Sequence, residues 1–162
     1  MSDLTAERLR EVLDYDQETG VFTWKIRTHS RVKAGDVAGA LRPDGYIQIS
    51  IDGRLHRAHR LALLYVTGEW PTAQIDHISG VRDDNRISNL RLATRSENLQ
   101  NQLRAKSNNN TGFLGVSPNL WKFKAEIQVD GKRRYIGTFP TPEEAHAAYL
   151  KAKRQLHPYG TI

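Results

Sequence analysis

The 162 residues include no cysteine and a single methionine. Without thiols there is no disulfide framework and no cysteine-ligated zinc site. A metal would have to be held by Asp, Glu, Asn, His or backbone oxygen. Such a donor set favours a hard ion, Mg²⁺ ahead of Mn²⁺. Long apolar runs are also missing. The longest, Leu61–Val66, falls far short of the roughly 18 residues a membrane helix needs. The N-terminus has neither a basic flank nor an apolar signal core. The expectation is an intracellular, cytoplasmic protein with no membrane partner. An apolar share of 38% is low but sufficient for small cores.

Excess charge is missing from most of the chain and concentrated at one end. Residues 1–101 hold 14 Lys/Arg against 14 Asp/Glu, while residues 102–162 hold 10 against 4. The whole net charge of +6 therefore sits in the last third. A basic segment of this kind is the electrostatic footprint of nucleic-acid binding; the plainer reading is a solvated basic surface.

Periodicity predicts a short helix over Leu4–Leu13, a turn at 16–20 and a strand over Val21–Trp24. From Tyr46 the pattern alternates, and Asp52-Gly53 marks a tight turn, so Tyr46–His56 reads as a β-hairpin. A helix over Arg57–Val66 follows, ended by Gly68 to Pro71. Gln74–His77 and Leu90–Ala93 read as short strands around a loop. Thr94–Leu103 reads as a helix, opened by a capping box of Thr94 and Glu97. Arg104–Gly112, rich in asparagine and without apolar periodicity, reads as a linker. Three strand-like runs come next: Phe113–Val116, Trp121–Val129 and Arg133–Phe139, the last two joined by Asp130-Gly131. A final helix opens at Thr141-Pro142. The fold class expected is α+β. The expected domains are 1–103, a linker at 104–112, and a three-stranded antiparallel sheet with one helix over 113–162. A domain of about 50 residues would be only marginally stable alone.

Asp76, His77, Asn89 and Asn98 carry the candidate chemistry. Successive strand residues point to opposite faces, so Asp76 and His77 cannot both ligate one ion by simple projection. A neutral His can take a proton from water near pH 7. Asp and Asn oxygens suit a hard cation that bridges a scissile phosphate and its leaving oxygen. Residue types alone leave a plainer alternative, in which the Asn-rich loop is just a turn.

The order and spacing of Ile75-Asp76-His77-Ile78-Ser79-Gly80, Asp84-Asn85-Arg86, Ser88-Asn89-Leu90-Arg91, Ala93-Thr94 and Ser96-Glu97-Asn98 resemble the HNH, or ββα-metal, nuclease motif. The likeness is to the phage and intron-encoded branch, in which Asn replaces the final His. Ala58-His59-Arg60-Leu61-Ala62 and Gly68-Glu69-Trp70-Pro71 fit the same branch, and the resemblance spans Tyr46 to Asn101. It implies a ββα-metal core following the N-terminal helix and hairpin, with Asp76 and Asn98 as metal ligands. His77 would be the general base, and Asn89 would tie down the loop and orient it. Arg60, Arg86 and Arg91 could grip phosphate or pair with Asp83 and Asp84. His59 reads as structural.

The tail resembles the ERF/Apetala-type DNA-binding domain. The carrying residues are Gly115-Val116, Trp121, Ala125-Glu126-Ile127, Tyr135-Ile136-Gly137-Thr138-Phe139, Thr141-Pro142-Glu143-Glu144-Ala145 and Ala148-Tyr149. In that family the sheet enters the major groove. Lys122 and Lys124 on the middle strand, Lys132, Arg133 and Arg134 on the next, and Trp121 would then contact DNA. The competing reading puts Trp121 and Phe139 in a core and leaves the lysines solvated. The resemblances together imply a metal-dependent endonuclease that nicks double-stranded DNA as a monomer, with a dimer needed to cut both strands. A non-catalytic DNA-binding regulator with a degenerate core and an RNA nuclease are the alternatives.

Overall fold

The computed structural model describes residues 4–27, 32–103, 105 and 109–160. The α+β expectation holds: short helices accompany small antiparallel sheets. The chain divides into two compact units, residues 1–93 and 94–162.

The first unit opens with α1 (Ala6–Val12), whose N-cap Thr5 accepts a hydrogen bond from the Arg8 N–H. Ala6, Leu9 and Val12 recur at helical spacing and are buried. β1 (Leu13–Tyr15) pairs antiparallel with β2 (Phe22–Trp24). The turn between them needs Gly20, at φ +74°, because a Cβ there would lie 2.4 Å from the backbone nitrogen of Arg86. A three-stranded sheet follows, with β4 (Ile47–Ile51) between β3 (Ala40–Leu41) and β5 (Arg54–Arg57). α2 (Ala58–Thr67) buries Ala58, Leu61, Ala62 and Leu64 and ends at Gly68 in the left-handed conformation. These elements share one core, in which Tyr15, Phe22 and Tyr65 pack ring against ring. The Trp70 indole donates to the Leu4 carbonyl at 2.8 Å and ties the end of this segment to α1. β6 (Gln74–His77) and β7 (Leu90–Ala93) form an antiparallel pair with the expected bounds.

In the second unit, α3 (Arg95–Gln100) is shorter than the expected Thr94–Leu103 helix. The capping box is present: Glu97 N–H donates to the Thr94 hydroxyl and Thr94 N–H to the Glu97 carboxylate. β8 (Val116–Asn119), β9 (Lys122–Val129) and β10 (Lys132–Phe139) form an antiparallel sheet with β9 in the centre. α4 (Pro142–Leu156), capped by Thr141, covers one face, burying its Ala145 and Tyr149 with Val116, Ala125, Ile127 and Val129 of the sheet.

The first strand of this sheet departs from the expectation. Phe113–Gly115 is not extended; β8 starts at Val116, where the strand was expected to end. Gly112 and Gly115 both take positive φ and turn the chain first. At Gly115 a Cβ would fall 2.0 Å from the Tyr149 ring, so glycine also admits the aromatic side chain. Arg104 and Lys106–Asn108, part of the expected linker, lie outside the described residues. Its described end is held locally, since the Asn109 amide donates to the carbonyls of Phe113 and Val116.

Candidate active site

β6 ends at Asp76 and His77, and its partner β7 begins at Leu90. The register sets Asp76 opposite Arg91 and His77 opposite Leu90. The intervening residues, 78–89, finish in a 3₁₀ turn over Ile87–Asn89. Asn89 sits inside this loop, 6% exposed. Its Oδ1 accepts from the Ser79 N–H at 2.8 Å and its Nδ2 donates to the Asp84 carbonyl at 2.8 Å. One amide thus braces both limbs. The Asn89 carbonyl also accepts from the Ile78 N–H. From outside, the Tyr15 hydroxyl donates to the Asn85 carbonyl at 2.6 Å, and the Ile87 N–H donates to the Gln17 carbonyl. The β1–β2 hairpin therefore backs the loop.

Asp76 and His77 are both buried, on opposite faces of the hairpin as strand geometry requires. Asp76 Oδ2 accepts from Arg91 Nε at 2.9 Å and Nη2 at 2.7 Å, an ion pair across the two strands. His77 packs against Tyr46, with ring centroids 5.8 Å apart, and stands perpendicular to His59 at 5.2 Å. Burial holds the His77 pKa below the ordinary value, although Asn85, Asp76 and Asp84 pull the other way. His59 is pushed down to about 4 by burial, with smaller contributions from the His77, Arg57 and Arg60 charges. Both imidazoles are therefore neutral near pH 7, which is the form a general base needs.

The other candidates fall as follows. Arg60 donates to the Pro71 carbonyl at 3.0 Å and lies over the Trp70 ring. Arg86 clasps Asp84 with two bonds, at 2.8 and 2.6 Å. Arg91 is engaged by Asp76. Asn98 lies on α3, half-buried, in the second unit. On β9, Lys122 and Lys124 share the face of the sheet opposite the one that Ala125 and Ile127 bury against α4. Arg133, opposite Gln128, shares that outward face; Lys132 and Arg134, opposite Val129 and Ile127, point to the other side and are exposed at the sheet edge. Trp121 is not core: it lies in the turn between β8 and β9, 96% exposed, beside Leu120 at 94%. Phe139, the other half of that reading, is half-buried and does pack against the core.

Sequence reasoning passed over several groups at this place. Asn85 is 1% exposed and props the loop through its own amide bond to the Asp83 carbonyl. Tyr46 touches both His59 and His77. Arg57 and Arg82 lie over the Tyr46 ring. Only the alternation that starts at Tyr46 pointed to it, and that pattern speaks of a strand.

The donor chemistry suits a hard divalent ion sparsely. Asp76 offers a carboxylate with one oxygen held by Arg91. Among the described residues no group of three or more His, Cys, Asp or Glu is gathered. Most of a coordination shell would thus come from amide oxygen, water or substrate. Among the same residues no helix is long and apolar enough to cross a membrane.

Residues 56–100, the stretch from the end of β5 to the end of α3, match the sequence model of the HNH endonuclease family. The chain is similar to an uncharacterized HNH endonuclease of Acanthamoeba polyphaga mimivirus, 33% identical over 118 residues. That match covers 72% of this chain and 60% of the viral protein. It is also similar to an ethylene-responsive transcription factor of Arabidopsis thaliana, 39% identical over 98 residues. There the match covers 56% of this chain and 30% of the plant protein. The chain thus spans less than two thirds of either relative. No solved structure matches.

Proposed function

We propose that this chain is a metal-dependent HNH endonuclease acting on double-stranded DNA, with the basic second unit as its DNA-binding part. The observation that carries the reading is the coincidence of the HNH match with a buried, neutral imidazole. His77 stands at the end of the matched β6–β7 hairpin, under a loop braced by Asn89.

In this reading His77 takes the proton of the attacking water, and its depressed pKa keeps it ready to do so at neutral pH. Asn89 holds the loop that frames it. Asp76 is one oxygen ligand of the ion; Asn98 is carried forward as the second from the resemblance alone. Mg²⁺, or Mn²⁺, when bound would stabilise charge developing on the scissile phosphate and its leaving oxygen. Arg91 fixes the orientation of the buried Asp76 carboxylate through its two bonds to Oδ2. Lys122, Lys124, Lys132, Arg133, Arg134 and Trp121 contact DNA, the cations at phosphates and the exposed indole at the bases. One site per chain makes the product a nick, and site preference of the homing kind would rest on the second unit. The similarity to a plant transcription factor supports a DNA-binding tail.

The test is supercoiled plasmid incubated with purified protein in Mg²⁺ or in EDTA. Metal-dependent conversion to open circle is expected. Binding without conversion in either condition would replace this reading with that of a DNA-binding regulator.

A further inference from the structure

The arginines that the motif nominated for phosphate are committed elsewhere: Arg60 to the Pro71 carbonyl, Arg86 to Asp84 and Arg91 to Asp76. The nuclease unit would then meet its substrate with no obvious cation beside His77. Two other arginines fill that place. Both lie over the ring of Tyr46, Arg57 at 4.9 Å and Arg82 at 5.2 Å from its centroid. The same ring packs on His77. The proximity also registers electrically, since the Arg82 charge is among those that disfavour protonation of His77.

The two are held differently. Arg57 is locked by two bonds to the Asp44 carboxylate, at 3.1 and 2.7 Å. Arg82 is exposed, and among the described residues its guanidinium gives one bond, at 2.8 Å, to the Asp44 carbonyl. A guanidinium carries five N–H donors in its plane. Stacking on an aromatic face leaves those in-plane donors available and fixes where the fork points. Arg57 and Asp44 hold the turn that carries Tyr46, and Tyr46 in turn presents Arg82. The turn is closed further by the Arg42 N–H donating to the Tyr46 carbonyl and the Gly45 N–H donating to the Arg42 carbonyl. The result is a cation with most of its donors unspent, placed by hydrogen-bonded neighbours one aromatic ring away from the imidazole.

We infer that Arg82, stacked on Tyr46 beside His77, binds the phosphate of the DNA backbone at the cleavage position, with Arg57 and Asp44 as positioning residues for that platform. The inference rests on the nuclease reading for its substrate. It differs in its residues, since neither arginine was marked by the motif. Arg82 neutralises the phosphate that His77 serves and fixes its approach. A lysine there would keep the charge and lose the planar fork.

The experiment uses the full chain, a fluorescent 40-base-pair duplex of mixed sequence, and supercoiled plasmid. Binding is followed by anisotropy over a series of salt concentrations, for wild type, Arg82→Gln and Arg82→Lys, with thermal melting of each. One phosphate contact contributes about 0.9 to the slope of log K against log salt. Arg82→Gln should reduce the slope by about that amount and slow cleavage at saturating DNA. Arg82→Lys should restore the slope and recover cleavage only in part. Melting should be unchanged, because the residue is exposed. A wild-type slope and a wild-type cleavage rate in Arg82→Gln would overturn the inference while leaving the nuclease reading intact. Loss of cleavage with a lowered melting temperature and an unchanged slope would overturn it too, and assign Arg82 to holding the Asp44 turn. If Arg82→Gln does not fold, Arg82→Lys decides: full cleavage by that variant overturns the demand for a planar fork. A reduced slope in a protein that never cuts plasmid would support the phosphate contact and remove the nuclease reading. Failure of wild type to bind the duplex would remove both.

Discussion

Lowering the pH from 7 to 5 should destabilise the first unit through a residue that no charge partner compensates. His59 titrates at about 4 in the folded protein against 6.5 unperturbed, mainly because it is desolvated, half-buried beside Tyr46 and His77 at the start of α2. Between those two values the unfolded chain takes a proton that the folded chain refuses. Stability is therefore complete above about pH 7 and is lost as pH falls below the unfolded value. At pH 5 the unfolded state binds the proton about thirtyfold more favourably, a loss of about 2 kcal/mol from this residue alone. For a unit of this size that is a fall of roughly 8–15 °C in melting temperature. His77, depressed in the same direction and for the same first cause, adds to it. Tryptophan emission is a suitable probe, since Trp24 and Trp70 are sheltered in this unit while Trp121 is already in solvent. His59→Phe keeps the ring packing and removes the titration. Its melting temperature should fall clearly less than that of wild type between pH 7 and 5. Equal falls in the two proteins would refute the reasoning and show that His59 is protonated without penalty in the fold.

Other perturbations separate the loop, the second unit and its charge. Asn89→Ala removes the partner of the Ser79 N–H and of the Asp84 carbonyl and should cost roughly 1–3 kcal/mol, measured by urea unfolding; a loss under about 0.5 kcal/mol would mean the loop does not depend on it. Gly115→Ala forces a left-handed φ and a clash with Tyr149. It should destabilise the second unit by roughly 1–3 kcal/mol, leaving the emission of Trp24 and Trp70 unchanged on melting that unit. Replacing Lys132, Arg133 and Arg134 together with Gln should lower the salt slope of DNA binding by up to about 2.7. An unaltered slope would exclude all three as phosphate contacts.

Local signals made much of the fold legible. The β6–β7 hairpin was bounded by its alternating apolar residues, the capping box by Thr94 and Glu97, and the β9–β10 turn by Asp130-Gly131. β1 and β3 were not visible, because two or three residues cannot display a period and Leu13 continues the apolar stripe of α1. The start of β8 was misplaced because the effect of two glycines with positive φ outweighed the apolar run Phe113-Leu114. The run Trp121–Val129 reads as strand from its first residue, yet a two-residue turn lifts Trp121 into solvent. The surroundings of His77 were the least legible. Tyr46 and His59 reach it from β4's approach and from α2, through packing that no local pattern encodes. The pairing of Arg91 with Asp76 depends on strand register, whereas that of Arg86 with Asp84, two residues apart, is one of the two readings the sequence offers.

The central claim is that His77 is a base in the reaction and plays no part in holding DNA. The direct measurement compares wild type and His77→Ala for binding to duplex DNA in EDTA and for plasmid nicking in Mg²⁺. The account predicts unchanged affinity and a loss of at least roughly a hundredfold in cleavage rate. Wild-type cleavage by His77→Ala, or an equal loss of binding and cutting, would contradict it.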